Sequence, residues 1–331
     1  MVRVKELFRK HWRSNRPLGL LVVFSLACLV VSIVGLAVDP RLIGGEHAWI
    51  KPCKFSISLA VYGLTMMWLS RFLTADQKLF RRITVAALTG SVIELSAIIL
   101  QVARGTASHF NSATPFDQTV FWIVIAAIMP VSFAIVAIYI MLLRERSLPA
   151  VVGAALRWGL FLTIVGLIPG VLMILPDRLQ DVIAPYRQFD GHTVGYHQGG
   201  PGLPWLGWST VAGDLRVAHF VGLHAIQVLP VVAYLISRSF PNLSSEGQRS
   251  LVWNFGFTYL CFVGLLIWQA LAGESAAAPG ARTVLAGMTV AAVSVLWTIS
   301  VLAAERSGVG QERPAPAWSR ALFRTRGGGA G

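Results

Sequence analysis

Long apolar runs restrict the fold of this chain more than any other feature of its sequence. The hydrocarbon core of a bilayer is about 30 Å thick and needs roughly 20 apolar residues per helix. The runs of about this length cover residues 18–38, 50–70, 83–102, 119–143, 158–175, 217–236, 251–273 and 284–304. The sequence therefore predicts an all-α fold, a polytopic transmembrane helical bundle of about eight spans.

The composition agrees with a membrane protein. Of the 331 residues, 55% are hydrophobic and only 13% are charged, which is too little polar surface to cover a soluble core of this size. The net charge of +13 lies between the apolar runs and not on one basic face, so we expect the lipid bilayer as the partner and no nucleic acid. No pattern in the sequence predicts an oligomeric state.

The positive charges also predict an orientation. If the N-terminus is cytoplasmic, the cytoplasmic segments hold 20 of the 28 Lys and Arg residues. We therefore expect a multi-pass protein of the bacterial inner membrane with both termini in the cytoplasm. Residues 1–17 form its basic N-terminus, 18–304 its transmembrane domain with an extracytoplasmic loop at 176–216, and 305–331 a disordered tail.

Unusual polar residues gather on the predicted extracytoplasmic side. Ser91, Glu94 and Gln101 project from nearly the same face of the third run, and Glu94 lies about 15 Å deeper than Arg104. A carboxyl group at that depth is costly unless it is protonated, paired or in a wet cavity, so a functional role is the default interpretation. A structural hydrogen bond between helices is the alternative.

The sixth run carries a second polar stripe, and the loop before it is rich in Trp, Gly and Pro. Arg216, His219, His224 and Gln227 fall within an arc of about 140° if this run is one continuous helix. The loop 176–216 is too long for a simple connection, and we expect an ordered lid at the membrane interface, with a flexible loop as the alternative.

Packing of the third helix against the sixth would place both stripes around one outward-facing polar funnel. The candidate catalytic residues are Glu94, His109, Asp117 and Asp214. The candidate substrate-binding residues are Lys51, Lys54, Gln101, Arg104, Asn111, Trp208, Arg216 and Gln227. The candidate metal ligands are His109, His219 and His224.

Several motifs resemble those of a family of bacterial multi-spanning inner-membrane proteins. They are the strings WIKPCKF at 49–55, QVARGTASHFN at 101–111 and GGPGLP at 199–204, followed by WST at 208–210 and GDLRVAHFVGLH at 213–224. The resemblance covers roughly residues 40 to 230 and implies a polytopic inner-membrane protein. It implies no activity.

Three classes of function remain open. The first is a membrane-embedded enzyme or redox protein that uses haem, a divalent metal or the buried acid Glu94 on a lipid-like or anionic small molecule. The second is a proton- or ion-coupled transporter or channel in which Glu94 and the histidines relay protons. A sensor, an assembly factor or a structural subunit is a third possibility.

Overall fold

The computed structural model describes residues 15–74, 76–185, 188–197 and 200–307. Most of the basic N-terminus and of the tail predicted to be disordered lies outside these residues. The chain forms two compact units. The first unit comprises Met1–Glu145 and Pro176–Gly213, and the second comprises Arg146–Leu175 and Asp214–Gly331.

Helices form most of both units. Those of the first unit are α1 (Arg16–Val38), α2 (Ile50–Leu69), α3 (Gln77–Ala103), α4 (Pro115–Arg144) and the short α6 (Asp177–Ile183). Those of the second are α5 (Ala150–Met173), α7 (Leu215–Leu223), α8 (Ala225–Ser239), α9 (Ser245–Leu271) and α10 (Ala281–Arg306). The strands have two residues each: β1 (Leu42–Ile43), β2 (Glu46–His47), β3 (Phe189–Asp190), β4 (Thr193–Val194) and β5 (Gly213–Asp214).

Several helices begin before the apolar run because a polar side chain caps them. The Asn15 side chain accepts a hydrogen bond from the first turn of α1, and Asp76 does the same for α3. Thr114 caps α4, and Ser244 caps α9. Each cap satisfies a backbone N–H that has no partner within the helix. The helices therefore extend beyond the apolar residues that predicted them.

Within the described residues, six helices are long and apolar enough to cross a membrane: α1, α3, α4, α5, α9 and α10. The pair α7 and α8 makes a seventh candidate if the two helices count as one bent span. The helix α2, which begins with Lys51 and Lys54, is not among them. The all-α helical bundle is confirmed, and its helices suggest a multi-pass membrane protein.

The prediction of one continuous helix over 217–236 is wrong. The chain bends by 51° at His224, between α7 and α8. Side chains of the second unit satisfy the backbone at this break, since Tyr259 Oη donates to Val221 O at 2.7 Å and Thr163 Oγ1 to Leu223 O at 3.4 Å. The 140° arc assumed an unbroken helix, so it does not extend across His224.

The loop that was expected to form a lid contains regular secondary structure in its described residues. It contains α6 and a small hairpin in which β3 pairs antiparallel with β4. Farther along, Gly202 and Ser209 form an antiparallel bridge. These described parts of the loop have regular local structure, and its role as a lid stays a prediction.

Candidate functional site

The polar face of α3 lies inside the first unit. Ser91 and Gln101 have no exposed surface and Glu94 is 3% exposed, as the helical spacing predicted. The Oε2 atom of Glu94 is buried, and no described residue hydrogen-bonds to it. A buried polar atom without a hydrogen-bond partner destabilises the fold, so this carboxyl group needs a functional or structural explanation.

Three buried serines accompany Glu94. Ser25 of α1, Ser56 of α2 and Ser91 of α3 have no exposed surface, and none of their hydroxyl groups has a hydrogen-bond partner among the described residues. All three helices contribute to one apolar cluster, formed by Leu21, Cys28, Leu59 and Leu95. Each serine lies within about a turn of a cluster residue on its own helix. The interior of this three-helix group therefore contains polar hydroxyl groups among its apolar side chains.

Lys51 and His109 lie at the polar end of this interior. The positive charge of Lys51 acts on the His109 ring and disfavours its protonation. The His109 ring lies 5.9 Å from the Phe55 ring, and its Nδ1 is 3.0 Å from Ser108 Oγ. Phe55 also packs against the apolar cluster of the three helices, so His109 lies at the edge of the interior that they form.

Burial lowers the pKa of His109 well below its usual value, and the charges of Lys51 and His192 lower it further. A backbone hydrogen bond at Ser108 opposes this shift. The imidazole of His109 is therefore neutral at neutral pH, and it can donate one hydrogen bond and accept another. The nearby His192 belongs to the folded loop, and its ring lies 6.3 Å from the Phe110 ring.

The lowered pKa of His109 predicts a loss of stability in acid. As the pH falls below the usual value of about 6.5, the unfolded chain binds a proton that the folded chain does not, so the free energy of unfolding decreases. Between pH 7 and pH 5 the loss due to His109 is at most about 2 kcal/mol. Unfolding of the detergent-purified protein at both pH values, for wild type and for His109→Gln, measures it.

The variant is expected to lose less stability than the wild type over this range. An equal loss in both proteins would show that the folded chain protonates His109 as readily as the unfolded chain does.

Gln101, Arg104 and Asp117 form a hydrogen-bonded network where α3 ends and α4 begins. Gln101 Nε2 donates to Asp117 Oδ1 at 2.9 Å, and the Arg104 guanidinium bonds both Gln101 and Asp117. Thr114 Oγ1 donates to the second oxygen of Asp117 at 2.6 Å. Asp117 is thus fully engaged in joining two helices, which argues for a structural role.

Asn111 also serves the local fold. Its Nδ2 donates to Thr106 Oγ1 and to Ala107 O, at 2.8 and 2.9 Å, and its Oδ1 accepts from Ala113 N. These bonds hold the turn between α3 and α4. They leave little of this side chain for a substrate.

Lys54 faces the folded loop. Its ammonium group donates to Glu46 Oε2 at 3.2 Å and to Leu206 O at 3.1 Å. Glu46 lies on β2, which pairs with β1 across a Gly44–Gly45 turn. Lys54 therefore connects the hairpin, α2 and the loop, and Trp208 lies partly buried in that same loop.

The candidate residues of the second unit are also engaged. Arg216 and the buried Asp214 form an ion pair of 2.7 Å at the start of α7. His219 Nδ1 lies 2.7 Å from Gly166 O, and His224 Nδ1 lies 2.8 Å from Phe220 O. Gln227 follows the break and has a buried Oε1.

The predicted funnel draws residues from both units. Glu94, Gln101, Arg104 and His109 belong to the first, and Arg216, His219, His224 and Gln227 belong to the second. Within these sets the structure shows one direct side-chain contact, between Gln101 and Arg104, and the funnel itself stays a prediction. In the parts of the chain that the structure describes, no three His, Cys, Asp or Glu side chains are grouped to hold a metal ion. The geometry gives the predicted metal or haem ligands no support.

Sequence reasoning missed the serines on α1 and α2. Ser25 and Ser56 stand alone in apolar runs, where a serine commonly bonds a carbonyl of its own helix. Ser32 does so with Cys28 O. Only the packing of three helices distinguishes the buried, unpartnered hydroxyls from such a residue.

Comparison with known proteins gives no assignment. No protein-family model, no curated protein and no solved structure matches this chain. The argument for function therefore depends on the chain's own residues, and the family resemblance stays a prediction.

Proposed function

We propose that this chain is a proton-coupled transporter or channel of the membrane in which Glu94 binds and releases the transported proton. The observation that carries the proposal is the Glu94 carboxyl group, buried in a helix apolar enough to span a membrane, with an unpartnered Oε2. Ionisable groups at such positions mark proton relays in many membrane proteins.

Two further features support proton movement. The unpartnered hydroxyls of Ser25, Ser56 and Ser91 are suited to bind water in the interior that Glu94 shares. At the polar end, the neutral His109 ring offers one hydrogen-bond donor and one acceptor to water. The carboxylates of Asp117 and Asp214 are held in ion pairs, so Glu94 is the better proton carrier.

The proposal includes the topology that the charges favour. Counting α2 and the bent pair α7 and α8 as spans gives eight, with both termini in the cytoplasm of a bacterial inner-membrane protein. His109 and the folded loop then lie on the extracytoplasmic side. A proton would enter there, at the end of α3 where Lys51 and His109 are found.

Infrared spectroscopy during a pH titration tests whether Glu94 exchanges a proton. We expect a carboxyl stretching band whose intensity changes with pH in the wild type and is missing in Glu94→Gln. Glu246→Gln is the matched control, because Glu246 is exposed and its ion pair among the described residues is with Arg249, three residues along the same helix. If Glu94→Gln leaves every titrating carboxyl band in place, Glu94 does not carry the proton.

A second candidate function is an enzyme that uses Glu94 as an acid on a lipid-like or anionic substrate. The observation in its favour is an apolar groove of about 450 Å³ between α1 and α3, beside the helix that carries Glu94. Its walls are Leu20, Val23, Phe24, Leu88, Thr89, Val92 and Ile93. The hydrocarbon chain of a lipid suits such a groove. An anionic substrate is less well supported, because two cations predicted to bind it, Lys54 and Arg104, already pair with carboxylates.

The two functions respond differently to a blocked groove. Val92→Trp fills the groove without touching the Glu94 carboxyl group. As an enzyme, the protein should convert components of a bacterial polar lipid extract, as judged by mass spectrometry, and Val92→Trp should stop the conversion. As a proton pathway, Val92→Trp should retain proton movement in vesicles.

A further inference from the structure

The start of α3 carries a dense group of exposed cations. Lys78, Arg81 and Arg82, together with Val85, line a groove of about 370 Å³ on the first unit. Their spacing of three, four and seven residues places them on one face of the helix. This group lies at the opposite end of α3 from Arg104.

No described carboxylate pairs with these cations. The ion pairs of the described residues involve other side chains, and the nearby Asp76 instead accepts the backbone N–H of Leu79 at 2.9 Å. The N-terminal end of a helix carries a partial positive charge, so cations in the first two turns are repelled by the helix dipole as well as by one another. An anion bound in the groove would relieve the repulsion among the three cations.

The groove also lies at a defined level along the helices. Asn15, which caps α1, hydrogen-bonds with Thr84 of α3 at 3.3 Å, so the apolar part of α1 starts beside Thr84. At 1.5 Å per residue, Arg82 lies about 3 Å and Lys78 about 9 Å beyond that level. The headgroup layer of a bilayer is about 5 to 8 Å thick on each side. If the apolar core of the bilayer begins at the level of Thr84, the cations span the layer in which phospholipid phosphates lie.

We propose that this groove binds the headgroup of an anionic phospholipid. The Arg81 and Arg82 guanidinium groups bind the phosphate oxygens through paired N–H donors, and Lys78 adds a point charge. The exposed side chain of Val85 lies on the side where the acyl chains begin. The site is independent of Glu94, and its failure would leave the proposed proton pathway unaffected.

Native mass spectrometry of the full-length protein, released from detergent micelles, tests the site. The probes are dioleoyl phosphatidylglycerol, dioleoyl phosphatidylcholine and inorganic phosphate. We expect the wild type to bind one phosphatidylglycerol more tightly than phosphatidylcholine. The triple variant Lys78→Gln, Arg81→Gln, Arg82→Gln should bind phosphatidylglycerol at least about tenfold more weakly.

The matched control removes three exposed arginines from the last turns of other helices: Arg144→Gln, Arg238→Gln, Arg306→Gln. It changes the net charge equally and should retain phosphatidylglycerol binding. Equal weakening in the control would show a general charge effect and overturn the site. Equal affinity of the wild type for phosphatidylcholine, or binding of inorganic phosphate at the same affinity, would overturn the headgroup assignment.

Discussion

Replacing Glu94 by Gln is expected to slow proton entry into vesicles that contain the protein by on the order of a hundredfold, the size typical of a lost acid–base group. The amide has the same shape but cannot release a proton, and one of its atoms takes the place of the buried, unpartnered Oε2. The fold should survive because the volume is unchanged. A potassium diffusion gradient drives the protons, and a pH-sensitive dye inside the vesicles reports their entry.

The exposed Glu246→Gln serves again as the control and should match the wild type. Ser91→Ala should reduce the rate less than Glu94→Gln does, because the hydroxyls of Ser25 and Ser56 remain to hold water. Wild-type vesicles that acidify no faster than empty ones would rule out the proton pathway and favour the enzyme. Fast entry with Glu94→Gln would assign the pathway to another group.

The buried face of α3 could be predicted because one helical period determines it. Ser91, Glu94 and Gln101 project from nearly the same side of a helix, and all three are buried in the structure. The local pairing of Lys54 was not predicted. It depends on Glu46, which the Gly44–Gly45 turn returns toward α2, and this turn signal was visible in the sequence. Two of the cations predicted to bind substrate, Lys54 and Arg104, are thus paired with carboxylates of the chain itself.

The break at His224 had no comparable local signal. The apolar run continues through it, and the nearest proline, Pro230, lies six residues farther on. The donors that satisfy the broken backbone are Tyr259 and Thr163, which are distant in sequence. Tertiary packing therefore determines this feature, and periodicity alone predicts a straight helix. Bent helices at membrane depth persist where neighbouring helices supply such donors.

Gly166→Ala is expected to destabilise the second unit by about 2 kcal/mol. A Cβ atom at this position would lie 2.5 Å from the carbonyl carbon of Gly222, and the backbone atoms of α7 cannot rotate away. The helices α5 and α7 would have to separate, which would also weaken the contact between His219 and Gly166 O. Unfolding in mixed micelles with increasing denaturing detergent measures the loss.

Gly264→Ala provides the matched control on α9. A Cβ atom there meets nothing within 4 Å, so the substitution should be neutral or stabilise the helix by up to about 1 kcal/mol through its better helix propensity. The two variants make the same chemical change and should differ by about 2 to 3 kcal/mol. If Gly166→Ala were as stable as Gly264→Ala, the backbones of α5 and α7 would not be in contact. The support that holds the broken helix would then have to come from Tyr259 and Thr163 alone.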